Sequence, residues 1–197
     1  MKRIPLKMKR ADLKHIPEYQ LPEEYKIRFF REGEENIWAW VETSVDEFAN
    51  EAAALAHFEK EFSPFLHEMK KRCLFIENCD GQVIGTTTAW YGILEGEQNV
   101  TGRIHWVAVV PEYQGKKLSK PLLAKAMQVL AEYHDSAYLT SQTTSYQAVN
   151  MYLNFGFEPY LTNETDIEAW KLLEEVLDRT ILQSKLIVPP SWVQSLL

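Results

Sequence analysis

IHWVAVVPEYQGKKLSKPLLAKAMQVLAEY, residues 104–133, decides the fold. An apolar run from Ile104 to Val110 reads as a strand and stops at Pro111. The loop PEYQGKKLS follows, and a helix begins at once. Leu118, Leu122, Ala126, Val129 and Tyr133 recur at helical spacing and mark its apolar side. A strand that hands over to a helix through a glycine-bearing, lysine-rich loop suits a phosphate. Such a loop exposes backbone N–H groups, and the helix N-terminus adds partial positive charge. A P-loop is excluded, because GxxxxGK[ST] would need Gly at Val110 and Ser or Thr at Lys117.

The six residues Gln114, Gly115, Lys116, Lys117, Leu118 and Ser119 resemble a family loop. It is the Q/R-x-x-G-x-G/A loop of the GNAT acetyltransferases, which lies between their fourth strand and third helix. Lys117 stands where that pattern has Gly, and Ser119 where it has Gly or Ala. Ser is small enough to let a phosphate approach. Lys117 brings a Cβ that narrows backbone freedom, and an ammonium that can meet a phosphate oxygen. A second stretch, AVNMYLNFGF from Ala148 to Phe157, resembles the family's A-x-x-x-Y-x-x-x-G-F element. There a helix carries a tyrosine and ends at Gly-Phe, and Gly156 fits the position after the helix where positive φ is needed. The two motifs occur in the right order, about 30 residues apart, with a strand expected between them. That pairing is far more specific than either motif alone. In element order the resemblance runs from Tyr25 to Tyr160.

The resemblance implies a fold and a set of roles. The fold is α/β, a mixed and mostly antiparallel sheet flanked by helices, with central strands four and five splayed to admit an acyl-CoA. The backbone amides of Gln114 to Ser119 would cradle the CoA pyrophosphate, with Lys116, Lys117 and Lys120 making the patch cationic. The strand-four backbone near Ala108 and Val109 would pair with the pantetheine arm as an added strand. Tyr152 matches the family tyrosine that points at the CoA sulfur, and a phenol can protonate a departing thiolate. Ser145 falls where many relatives have a cofactor-contacting Asn, and Asn150 lies nearer the tyrosine. His105 sits on strand four, where several relatives carry a Glu or His that takes a proton from the amine. Its ordinary pKa near neutrality suits that task. A satisfied, half-buried strand histidine is an equal reading of the same residue. Strand alternation would put His105, Val107 and Val109 on one face.

The whole chain agrees with such a domain. Its 197 residues, 46% hydrophobic and 25% charged, suit one domain with a sizeable core. A net charge of −7 argues against nucleic-acid binding and mildly favours a neutral or cationic acceptor. The basic start MKRIPLKMKR lacks a signal-peptide apolar segment, and no apolar run reaches membrane-spanning length. A cytoplasmic enzyme is expected. Cys73 and Cys79, the two cysteines, end one expected strand, which disfavours a disulfide between them. The histidines show no metal-ligand spacing. Trp38, Trp40, Trp90, Tyr91 and Trp106 are candidates for an acceptor cleft, most of them as core.

The rest of the chain is read from local signals. Residues 1–24 are expected to be an arm, and 25–197 one domain with a C-terminal helix and tail. Tyr25–Arg31 reads as the first strand. Ser44 with Glu47 forms a capping box that opens a helix burying Phe48, Ala52, Leu55 and Phe58 or Phe62. Ser63-Pro64 restarts a helix to about Arg72. Leu74–Glu77 and Val83–Trp90 pair through a turn ending in Asp80-Gly81. Ala137–Thr143 is a fifth strand, and Thr165 with Glu168 caps a helix to about Leu177.

The expected function is transfer of an acetyl group from acetyl-CoA to a primary amine by direct attack, since no activated Cys or Ser is evident. The acceptor would be a small metabolite, an antibiotic, a polyamine or a peptide amine. A non-catalytic acyl-CoA-binding module and a transferase of longer acyl groups are the alternatives. A homodimer is compatible with such a domain.

Overall fold

The computed structural model describes residues 1–182. Among them lie seven strands and six α-helices, in the α/β class with mostly antiparallel pairing and flanking helices that the sequence implied. The Pro189-Pro190 tail lies outside the described residues. No helix among the described residues is long and apolar enough to cross a membrane. The described residues form two compact units: one of residues 13–92 and 102–135, the other of 1–12, 93–101 and 136–182.

In the first unit the strands run in the order β2 (Lys26–Phe29), β3 (Cys73–Glu77), β4 (Val83–Ile93), β5 (Val100–Val109). β3 pairs antiparallel with both β2 and β4. The β3–β4 turn closes as its sequence predicts, and Asn78 fixes it. The Asn78 Oδ1 accepts from the N–H of Asp80 at 3.1 Å and of Gln82 at 2.9 Å. β4 and β5 run in opposite senses, because the N–H of Val110, past the end of β5, donates to Ile84 near the start of β4.

Four helices belong to this unit: α1 (Glu35–Ser44), α2 (Glu51–Glu61), α3 (Leu66–Arg72) and α4 (Ser119–Ala131). The Ser44/Glu47 capping box does not form. Ser44 closes α1, where its hydroxyl donates back to Val41 O at 2.6 Å, and Asn50 caps α2 by accepting from Ala53 N. An Asn in extended backbone with a free side-chain oxygen outcompeted a two-residue pattern match. Ser63-Pro64 does restart helical structure, as a single 3₁₀ turn leading into α3. Trp38, Phe58, Phe62, Phe30 and Phe75 are fully buried and form the aromatic core. The Trp38 ring centroid lies 5.3 Å from Phe58, 5.6 Å from Trp106 and 5.8 Å from Phe62. Leu118, Leu122, Ala126 and Val129 are buried as their spacing predicts. Tyr133 lies past the end of α4, 46% exposed, with the Arg72 guanidinium 4.1 Å from its ring.

The second unit centres on β1 (Pro5–Arg10), a strand inside the segment expected to be an arm. It pairs antiparallel with β6 (Ala137–Gln142) on one side and β7 (Glu158–Pro159) on the other. Leu6 and Met8 point into the core while Lys7 and Lys9 reach out to Glu95 and Glu97. α6 (Glu164–Leu177) begins two residues earlier than expected. Asn163 and Asp166, not Thr165 and Glu168, make the capping box.

α5 (Tyr146–Asn154) ends as predicted. Gly156 has φ +79°, its N–H donates to Leu153 O, and the Phe157 N–H donates to Tyr152 O. These two bonds make a Schellman cap. Beside it the buried Arg10 guanidinium donates to Phe155 O and Asp12 O. Gly156→Ala is expected to cost about 1–2 kcal/mol from the left-handed backbone alone, a fall in Tm of roughly 2–8 °C. Thermal denaturation of the variant checks this.

Candidate active site

The loop after β5 adopts the conformation that its sequence pattern demands. Gln114 is extended, and its side-chain amide donates to Val109 O at 2.9 Å, tying the loop to the strand end. Gly115 and Lys117 both have positive φ, +76° and +64°. Lys117 thus takes up the left-handed backbone that a glycine would hold there at lower cost. α4 starts at Ser119 with no side-chain cap, so its first N–H groups have no side-chain acceptor. Gln114, Gly115, Lys116 and Lys117 are exposed, Ser119 is half-buried, and Leu118 is buried as the anchor. The Lys116 ammonium lies 4.7 Å from the Tyr113 ring centroid, and the Tyr113 hydroxyl accepts from Asn78 Nδ2 at 2.8 Å. A run of turned backbone before a helix start, edged by two lysines, has the geometry and charge that an anion can use.

β5 is not a regular strand. Trp106 has φ +52°, an outlier for a bulky residue in mid-strand. Regular alternation would send His105 and Trp106 to opposite faces, yet both reach one carboxylate. His105 Nε2 lies 2.9 Å from Glu61 Oε1, and Trp106 Nε1 donates to Glu61 Oε2 at 3.1 Å. The expected shared face of His105, Val107 and Val109 is therefore broken at Trp106, as a bulge breaks it. Such breaks re-aim side chains beside functional sites. Ala108 and Val109, just past this kink, are buried.

Glu61, the last residue of α2, gathers the site, and the sequence alone does not mark it. His57, one turn earlier, also reaches it, with Nε2 2.6 Å from Oε2. The i, i+4 spacing of His57 and Glu61 was the one visible signal. His105 and Trp106 come from 44 and 45 residues away, where periodicity says nothing. Burial pushes the Glu61 carboxyl upward, but the hydrogen bond and charge of His105, then the bonds of His57 and Trp106, hold it down at about 2. Burial pushes His105 down to about 4, against the hydrogen bond to Glu61, and the Arg103 charge adds to the lowering. At neutral pH the pair is thus a carboxylate and a neutral imidazole, held mainly by hydrogen bonds. His105 keeps 11% of its side chain exposed and Glu61 23%.

The other candidates lie in the second unit. Tyr152 is buried on α5, 7% exposed, with Phe157 edge-on to its ring at 6.3 Å. Ser145 Oγ accepts from Gln142 Nε2 at 3.0 Å. Asn150 Oδ1 accepts from Arg179 Nη1 at 3.0 Å, an arginine that also bonds Asn154. Of the aromatic candidates, Trp38 and Trp90 are core, while Trp40, Tyr91 and Trp106 are half-buried. Both cysteines are free thiols. Burial raises the Cys73 thiol to about 12, which disqualifies it as a nucleophile.

Comparison with known proteins agrees with this geometry. The model of the Acetyltransferase (GNAT) family matches residues 35–157. A mycothiol acetyltransferase of Streptomyces bingchenggensis is 31% identical over an alignment of 162 positions that covers 77% of this chain and 48% of that protein. The chain thus spans about half the length of this relative. A GCN5-related N-acetyltransferase from Sphaerobacter thermophilus has a similar fold, with a TM-score of 0.60, 20% identity, and 80% of this chain matched to 49% of that one. Another from Kribbella flavida gives a TM-score of 0.53 at 17% identity, covering 81% of this chain and 55% of that one. With the strand–loop–helix at 104–133 and the capped tyrosine helix in place, the family match extends over most of both motifs' surroundings, and the chain belongs to the GNAT acetyltransferase family.

Proposed function

We propose that the chain transfers an acetyl group from acetyl-CoA to a primary amine by direct attack. The observation that carries this reading is the turn at 114–119, with Gly115 and Lys117 at positive φ ahead of the uncapped α4. Its backbone amides hold the CoA pyrophosphate, and Lys116 and Lys117 supply charge. The Ala108–Val109 backbone receives the pantetheine arm. Ala108 follows the kink at Trp106, and its amide serves the thioester oxygen as charge develops there.

The amine arrives neutral from solution and attacks the carbonyl carbon. Its nitrogen becomes cationic as the C–N bond forms, and its N–H protons become far more acidic than those of the free ammonium. His105, neutral above about pH 5, takes one of them. The C–S bond then breaks, and the Tyr152 hydroxyl protonates the leaving thiolate.

Release of free thiol from acetyl-CoA across a panel of primary amines tests this. Because the His105 pKa lies near 4, its base form is already complete at neutrality. The rate with each amine should climb along that amine's own deprotonation, with no imidazole inflection near pH 6.5. An inflection there that vanishes in His105→Ala would contradict the account of the base. No thiol release with any amine would contradict the function.

A further inference from the structure

We infer that Glu61 is the positioning residue of this site: its carboxylate fixes His105 in the Nε2–H tautomer and leaves Nδ1 as the proton acceptor. The inference rests on His105 being the base. An ionised carboxylate only accepts hydrogen bonds. The His105 Nε2 at 2.9 Å from Glu61 Oε1 must therefore carry the ring proton, and the neutral ring's lone pair falls on Nδ1. The other oxygen, Oε2, takes the Trp106 indole N–H at 3.1 Å and the His57 Nε2–H at 2.6 Å. Those two donors hold the carboxylate still, so the His105 ring is held by a fixed partner. When Nδ1 takes the proton from the amine nitrogen, the ring becomes an imidazolium and the Glu61 charge stands beside it. A base oriented by a third group follows the logic of a catalytic triad. Here the orienting group comes from the end of α2, and the kink at Trp106 brings two neighbouring strand residues onto it.

Trp106 makes the tautomer switchable by one near-isosteric change. An indole N–H can only donate. In Glu61→Gln the amide oxygen must face Trp106 and His57, which turns the amide NH₂ toward His105 Nε2. His105 is then forced to accept at Nε2 and to carry its proton on Nδ1. The acceptor position is lost with little change in volume.

The test reads the tautomer first, by long-range ¹H–¹⁵N correlation of histidine-labelled protein without any ligand. Wild type should show His105 protonated on Nε2 at pH 7, and Glu61→Gln should move the proton to Nδ1. In the same variant turnover by thiol release, with the best amine of the panel, should fall on the order of 10²–10⁴-fold, the range spanned by general-base loss and a wrong-tautomer imidazole. Acetyl-CoA affinity should stay within about twofold, since that affinity is assigned to the loop after β5. Adding Trp106→Phe to Glu61→Gln removes the donor that pins the amide, and should return the proton to Nε2 with part of the turnover.

A purely structural Glu61 would lower Tm while leaving the tautomer and turnover alone, and that result overturns the proposal. Retention of the Nε2–H tautomer in Glu61→Gln overturns it as well. Full turnover in His105→Ala is a different failure: it removes the base reading itself, which neither Glu61 result does.

Discussion

Tyr152→Phe is expected to lower turnover by about 10²-fold while acetyl-CoA affinity stays within about twofold, because general acid catalysis by one side chain contributes roughly 10²–10⁴. The phenyl ring keeps the buried position on α5 and the edge-on contact with Phe157, so the variant should fold. On the proposed mechanism, what it loses is the proton for the leaving thiolate. The loss should shrink when the acyl donor carries a thiol of low pKa, since such a thiolate departs without protonation. Steady-state kinetics with two thioesters separates this from a packing defect, which would depress both donors equally. Turnover within a factor of two of wild type would remove Tyr152 from the chemistry.

Reversing the charge at Lys117 should have the second large effect. Lys117→Glu exchanges an ammonium for a carboxylate on an exposed loop whose backbone is assigned to the pyrophosphate. A charge-assisted hydrogen bond contributes about 1.5–3 kcal/mol, so acetyl-CoA affinity should fall roughly 10–100-fold, more at low salt than at high. Lys117→Gly distinguishes charge from conformation. Relief of left-handed backbone strain, about 1–2 kcal/mol, is offset by glycine's added chain entropy, about 0.5–1 kcal/mol. Stability should rise by no more than about 1.5 kcal/mol, and affinity should fall less than in Lys117→Glu. Equal affinity in wild type and both variants would take Lys117 away from the phosphate.

Local chemistry was legible in the sequence wherever one turn or one cap decided the outcome. Gly156 announced a left-handed position after α5, and the chain places it there with both Schellman bonds. Asn78 to Gly81 announced the β3–β4 turn. β1 is hidden in the sequence although PLKMKR alternates, because its charge pattern reads as a basic arm and its two partner strands lie far along the chain. That one omission shifts the strand numbering, so the strand expected fourth is β5. The capping boxes at Ser44 and Thr165 failed for a shared reason. A four-residue pattern is weak, and Asn50 and Asn163 lay close enough to take the caps instead. Within the candidate site, His105 and the 114–119 loop could be read from strand and loop position. Glu61 could not, because its role exists only once the end of α2 meets β5 and Trp106 departs from strand geometry.

Calorimetric titration with acetyl-CoA and with dephospho-CoA tests the central claim most directly. The account predicts micromolar binding of acetyl-CoA, near-equal binding of dephospho-CoA because both carry the pyrophosphate, and a marked loss of both in Lys117→Glu. Absence of heat with acetyl-CoA at any concentration up to about 1 mM, a Kd weaker than −4.1 kcal/mol of binding free energy, would contradict it.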